Sequence, residues 1–344
     1  MKQPVPILQS PQRAVPFLPA ARPEDTGTAP DPLEEAHRTV LREYGKMHSM
    51  LVARGGRLIF ERYYGEGAPA RLNDLRSATK SVTSLLVGIA AGRGDLPGIE
   101  TPAAGILRRH VPYLHSEELP EITLRHLLTM TAGFSWQTGK RLGEPLIAKF
   151  HRARRWASFA MSLPIIREQI GTFQYRSTDS HLLSMALTEC TGLDAFSYAR
   201  EHLFGPLGIE HAAWNASPEG HSMGHIGLHL TSRDLIKLGI CLLEDGRYGQ
   251  KQIVPAEWLK DALSAQTSGY PAYGDYGYQF WTGVMSGQPF TLAHGHGGQQ
   301  ILLLPRLDAV IVFTAESRTG HWKHPRKLVE QHLIPAMTGA ASRS

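Results

Sequence analysis

The sequence predicts an α/β (α+β) fold, in which the two ends of the chain share one mostly antiparallel sheet around a helical insertion at residues 76–264. Three observations carry this. Strand-like runs cluster near the start, at Met47–Ala53 and Arg57–Tyr64. A second cluster, Gln279–Val284, Gln299–Leu304 and Ala309–Thr314, lies near the end. Almost every periodic segment between them repeats at i, i+3, i+4, the helical spacing.

Residues 1–30 are rich in Pro and Ala, lack periodicity and read as an extended N-terminal arm. From Pro32 to about Lys46, Leu33, Ala36, Val40 and Leu41 mark a helix. Arg54-Gly55-Gly56 supplies the turn of the first hairpin, and Pro305–Asp308 the turn of the last. The middle contributes helices at Ser77–Ala91 (stopped by Gly92), Thr123–Met130, Asp179–Thr191, Asp194–Leu203, Ser232–Leu243 and Ala256–Leu263. A helix from Trp322 to about Met337 closes the chain. The layout gives an arm at 1–30, a discontinuous sheet domain at 31–75 and 265–344, and a helical domain at 76–264.

The 344 residues carry a net charge of +5 and are 42% hydrophobic, a balance that buries a core and excludes disorder. Two cysteines make neither a disulfide framework nor a zinc site; Cys190 and Cys241 both fall on apolar helical patterns and read as small core residues. The longest strongly apolar run, Leu85–Ala91, is too short for a membrane span, and prolines break the N-terminal apolar residues. A soluble, cytoplasmic protein is the expectation. Basic stretches at Lys149–Arg155 and His321–Lys327 read as solvated surface, not as a nucleic-acid interface.

Chemistry concentrates in three places. Ser77-Ala78-Thr79-Lys80 is the only S-x-x-K in the chain, and it opens a helix whose apolar stripe is Val82, Leu85, Leu86 and Ile89. Ser77, Lys80 and Ser84 share another face. A serine hydroxyl becomes a nucleophile when a nearby base takes its proton, and a buried lysine is such a base once its pKa falls. Taken alone, the tetrad reads equally as a helix N-cap followed by a solvated lysine. Tyr175-Arg176-Ser177 precedes the next long helix; a phenol against a lysine ammonium has its pKa lowered and relays protons, or simply packs in a loop. Ala293-His294-Gly295-His296-Gly297-Gly298-Gln299 lies between strands, where glycines let backbone approach a ligand, or form a plain hairpin. Metal binding through the H-x-H pair lacks further ligands. No G-x-S-x-G elbow, P-loop or dinucleotide fingerprint stands in its structural context, so no cofactor is expected.

The order of the three motifs resembles the penicillin-recognising serine hydrolases, a group of class C β-lactamases, D-alanyl-D-alanine carboxypeptidases, β-lactamase-like esterases and 6-aminohexanoate-dimer hydrolase. The blocks VARGGRLIFERYYGEG, SATKSVTSLLVGIAAGRGDL, ITLRHLLTMTAGFSW and GHGGQQILLLPRLDAVIVF resemble family segments in the expected order, from Tyr44 to Glu330. The resemblance implies terminal helices flanking the sheet and an active site between sheet and helical domain. It makes Ser77 the acylated nucleophile, Lys80 its proton partner and Tyr175 base and acid. Backbone N–H groups of Ser77 and His296 would form the oxyanion hole, with Ser177, His294, Gly295, Gln299 and Trp136 facing substrate.

Two departures steer the choice of substrate. Ser177 stands where such β-lactamases carry Asn, and Ala293-His294-Gly295 lacks the Lys of K-T-G that binds a β-lactam carboxylate. The reading is therefore a hydrolase of a small-molecule ester, or next an amide, through an acyl-serine. The alternatives are β-lactamase or carboxypeptidase activity, and a non-catalytic sensor or binding module. No nucleic-acid or membrane partner is expected, and oligomeric state leaves no mark on the sequence.

Overall fold

A computed structural model describes residues 18–110, 122–139 and 142–339. The sheet strands are β1 (Met47–Arg54), β2 (Arg57–Tyr63), β3 (Thr267–Tyr270), β4 (Gly274–Tyr276), β5 (Trp281–Met285), β6 (Gln288–Gly295), β7 (Gln299–Leu304) and β8 (Ala309–Ala315). They form one sheet in the order β3-β4-β5-β6-β7-β8-β1-β2, antiparallel throughout. The ends of the chain meet where β8 pairs with β1, Val312 opposite Leu51. Gly55 and Gly56 both adopt positive φ, 57° and 66°, the conformation a two-residue hairpin with the strands' own twist requires.

Both sheet faces are covered, which explains why Ile301–Leu304 of β7 and Ala309–Phe313 of β8 read as apolar runs without alternation. Ile301, Leu303, Val310 and Val312 pack against the helical segments. Leu302, Leu304, Ile311 and Phe313 pack with Leu33, Ala36 and Val40 of α1 (Pro30–Glu43) and with Leu328, Val329 and Leu333 of the C-terminal helical stretch 326–338. Alternate residues of each strand thus serve two cores. Leu41, expected in the α1 stripe, is 64% exposed, because α1 buries only Leu33, Ala36, Thr39 and Val40. The described part of the expected arm is not all extended: Pro23–Thr26 forms a 3-10 turn, while residues 1–17 lie outside the described residues.

The helical side is built around α2 (Thr79–Arg93), buried from Thr79 to Ala90. It runs past Gly92 and stops at Gly94, whose φ of 77° makes the left-handed cap. Gly92 instead permits close packing, since a Cβ there would sit 2.4 Å from Pro255 Cγ. The chain further contributes α3 (Leu124–Leu128), α4 (Ile147–Arg152), α5 (Trp156–Met161), α6 (Ser177–Thr191), which packs on α2, and α7 (Ser232–Leu243), which packs on the sheet. Cys241 is buried on α7, whereas Cys190 on α6 is half-buried; both are free. Gln279, expected in a strand, has φ of 64° and ties sheet to helices. Its side chain donates to the Leu127 and Leu128 carbonyls (2.9 Å each) and accepts from Ser180 Oγ (2.5 Å), while its carbonyl accepts from Ser81 Oγ (2.7 Å). Among the described residues no helix is long and apolar enough to cross a membrane.

α7 crosses the sheet at Gly239, where a Cβ would lie 2.4 Å from Val310 Cγ1. Gly→Ala stabilises an open helix, but here overpacking wins. Gly239→Ala is predicted to lower stability by about 1–3 kcal/mol, read as the urea midpoint, and adding Val310→Ala is predicted to recover part of the loss.

Candidate active site

The site forms where three segments converge on the start of α2. Ser77 sits in a 3-10 turn, Arg76–Ala78, that leads into the helix. Arg76 precedes it with φ of 49°, a strained position for a non-glycine residue, held by its backbone N–H on Asp74 Oδ1 at 3.0 Å. The end of β6 runs beside this turn because Gly295 has no side chain. A Cβ there would lie 2.1 Å from the Leu75 carbonyl oxygen and 3.2 Å from the Ala78 nitrogen. This approach carries the chain into His296 alongside the helix start, where peptide N–H groups and the dipole favour negative charge.

Lys80 Nζ donates to Ser77 Oγ at 3.1 Å and to the His225 carbonyl at 3.1 Å. The side chain is 1% exposed. Burial lowers its pKa from 10.5 to about 8; Glu144 and Asp179 pull it upward, while Arg76 adds to the lowering. A neutral amine is therefore accessible close to physiological pH.

Tyr175 lies 2% exposed, with Lys80 Nζ 4.9 Å from its ring centre. Trp281 stacks on it at 5.8 Å. The expectation of a lowered phenol pKa is overturned. Burial and the Glu144 carboxylate push it well above its ordinary 10.0, and the hydrogen bond with Ser77 offsets only part of this. At rest the group is a phenol, suited to relay or donate a proton, and the amine is the stronger candidate base.

Tyr175 and Ser177 are positioned by a buried ion pair at the start of α6. Arg176 Nε meets Asp179 Oδ2 at 3.1 Å with both side chains fully enclosed, and burial raises the Asp179 carboxyl to about 6. Arg176 Nη1 also donates to the Phe134 carbonyl at 3.4 Å.

Glu144 is the site residue that motif reading missed. Its carboxylate accepts from the Ser177 backbone N–H (2.7 Å), Ser177 Oγ (2.5 Å) and Trp136 Nε1 (2.8 Å). No spacing rule marks it, although it is the only acidic residue from Ile122 to Arg167, within a basic stretch. Trp136, 6% exposed, belongs to an aromatic cluster with Phe150 and Trp156.

Two expected substrate contacts are placed elsewhere. His294 lies on the sheet face that Leu292 shares with the terminal helices, turned from α2 by strand alternation. It stacks on His324 at 5.4 Å, its Nδ1 is 3.2 Å from Gln300 Nε2, and burial keeps it neutral. Gln299 commits both ends of its amide to Ala315, donating to the carbonyl at 2.7 Å and accepting from the N–H at 3.2 Å. The exposed His296 ring donates to the Thr319 carbonyl at 2.6 Å, which leaves only its backbone for the site. Ser84 Oγ is buried without a partner and does not join Ser77 and Lys80. Among the described residues no three His, Cys, Asp or Glu side chains are arranged to hold a metal ion.

Holding Lys80 in this enclosure opposes folding whenever the amine is charged. Its folded pKa lies below the ordinary value, so stability rises with pH between about 8 and 10.5. Lys80→Met is predicted to raise stability by on the order of 2 kcal/mol below pH 8, with the gain shrinking across that window. Thermal unfolding from pH 6 to 10.5 measures it.

A family model described as Beta-lactamase matches residues 38–334. The chain is 25% identical to 6-aminohexanoate-dimer hydrolase of Paenarthrobacter ureafaciens over 299 residues, 80% of this chain and 74% of the relative. Its fold is similar to a penicillin-binding protein homologue from Caulobacter crescentus (TM-score 0.69, 16% identity, 90% and 99% covered). It is also similar to EstCE1, a hydrolase with promiscuous acyltransferase activity (TM-score 0.71, 14% identity, 91% and 99% covered). With the family model spanning most of the chain, the protein belongs to the Beta-lactamase family and is a hydrolase of the β-lactamase-like serine type.

Proposed function

We propose that the protein cleaves a small carboxylic ester, and next in preference an amide, through an acyl-Ser77 intermediate. The observation that carries this is the buried Lys80 amine 3.1 Å from Ser77 Oγ. Lys80 takes the hydroxyl proton as Ser77 attacks the acyl carbonyl. Tyr175 relays that proton to the leaving group. The oxyanion forms against the backbone N–H groups of Ser77 and His296. Water then attacks the acyl-enzyme and the same groups act in reverse.

The charge around the site argues for the substrate class. The third motif offers no fixed cation, only Ala293 and a neutral, turned-away His294, so a substrate carboxylate finds no partner there. Glu144 instead places a carboxylate on Ser177, beside Lys80 and Tyr175. Neutral or cationic substrates are favoured over β-lactams and D-Ala-D-Ala peptides. The 6-aminohexanoate dimer for which the relative is named is a linear amide with an ammonium and a carboxylate end, and only its ammonium end fits this pattern.

A fluorophosphonate probe is predicted to add once to the native protein, by intact mass, and not to Ser77→Ala; equal addition to both contradicts the proposal. In a panel of p-nitrophenyl esters, short amides, a chromogenic cephalosporin and D-Ala-D-Ala, esters are expected to turn over fastest. Release of no more than one equivalent from any substrate would support a binding module instead. Glu144→Gln is predicted to cut kcat/KM for the 6-aminohexanoate p-nitrophenyl ester about tenfold relative to the neutral hexanoate ester; an unchanged ratio removes Glu144 from substrate choice.

A further inference from the structure

The carbonyl that holds Lys80 belongs to His225, on a segment tied to its surroundings on both sides. Thr83 Oγ1 donates to the Gly224 carbonyl (2.7 Å), Ser184 Oγ to the Ser222 carbonyl (2.9 Å), and the Leu228 N–H to Thr79 Oγ1 (3.3 Å). Between these ties runs Gly224-His225-Ile226-Gly227, with Gly227 at φ of 84°. The Gly227 carbonyl also accepts from the Asn215 N–H (2.9 Å), which leaves the orientation of the His225 peptide, between the tied Gly224 and Gly227 carbonyls, to be fixed.

The His225 ring provides one. It is fully buried, and its Nε2 lies 2.8 Å from Nε2 of His151 on α4. This is its one polar tie, since its Nδ1 is buried without a partner. Phe150 (5.4 Å), Trp156 (5.6 Å) and His181 (5.9 Å) wall it, and His151 stacks on Trp156 at 5.2 Å. Two facing Nε2 atoms share one hydrogen, so one ring donates and the other accepts, in opposite tautomers.

We propose that His151 and His225 are a positioning pair for Lys80: their ring–ring hydrogen bond fixes the 224–227 backbone so that the His225 carbonyl stays on Nζ. The inference rests on the reading of Lys80 as the base for Ser77. The groups that face the pair are Lys80 and Arg76 beside Ser77, and His181 on α6, all cationic or able to become so. Arg76 is itself paired with Asp74 at 3.5 Å, and Glu144 and Asp179 act on Lys80 from its other side. Burial and these neighbours hold His151 at about 4 and His225 well below its ordinary value, so the pair works uncharged. A carbonyl on the ammonium favours the charged form; releasing it lowers the Lys80 pKa further and lets Nζ leave Ser77.

The test uses the full chain labelled with 13C-lysine, with the Lys80 resonance identified by its loss in Lys80→Met and titrated by NMR. In His151→Phe the Lys80 pKa is expected to fall by about one unit, and fluorophosphonate labelling to slow about tenfold. His151→Gln, whose amide N–H can still donate to His225, is expected to keep the native titration. An unchanged or raised Lys80 pKa in His151→Phe overturns the proposal, as does an equal shift in both variants. If His151→Phe fails to fold, His151→Asn, too short to reach the ring, replaces it under the same criteria. The titration is repeated in a Ser77→Ala background, where it needs no activity. A native protein that never labels therefore refutes the hydrolase reading and leaves the positioning result standing.

Discussion

One buried amine sets the terms for the site. Lys80 Nζ lies between the Ser77 hydroxyl and the His225 carbonyl, buried beside the Tyr175 ring. Burial makes the ammonium costly, and so it makes the amine available. The fold serves this enclosure at several points. α2 is covered from Thr79 to Ala90, Gly295 lets the end of β6 run beside the Ser77 turn, and Gln279 stitches α2, α3 and α6 to the sheet. Gly224 lies against α6, where a Cβ would stand 2.2 Å from the Ser180 carbonyl.

The charges follow from the same enclosure. Tyr175 shares the buried volume with Lys80, yet the Glu144 carboxylate and the lack of solvent keep it a phenol. A lysine with a lowered pKa beside a tyrosine with a raised one separates acceptor from donor without a histidine. Glu144 also occupies both donors of Ser177, which fixes its carboxylate at the start of α6.

Much of the frame was legible because its signals are local or periodic. β7 was read with its observed boundaries and β8 to within a residue, since unbroken apolar runs between turn residues mark strands buried on both faces. Ser77, Lys80 and Tyr175 were singled out through motif order, and the structure brings the three side chains together. What escaped is long-range. Gln279 reads as strand until its hydrogen bonds to three helices are seen, and Leu41 fits a helical stripe although only one side of α1 meets the sheet. Glu144 and His225 act through contacts to residues 33 and 145 positions away, which no spacing encodes. His294 and Gln299 were misplaced because motif register fixes position along a strand, not what each side chain already holds.

The central claim is that the buried Lys80 amine takes the Ser77 proton. The rate constant for acylation of Ser77 by a neutral fluorophosphonate, followed from pH 5.5 to 10, tests it most directly. The rate is expected to rise with pH through a single ionisation near 8 and to level off above it. A rate that is flat across this range, or that rises through an ionisation near the ordinary histidine value of 6.5, would contradict it.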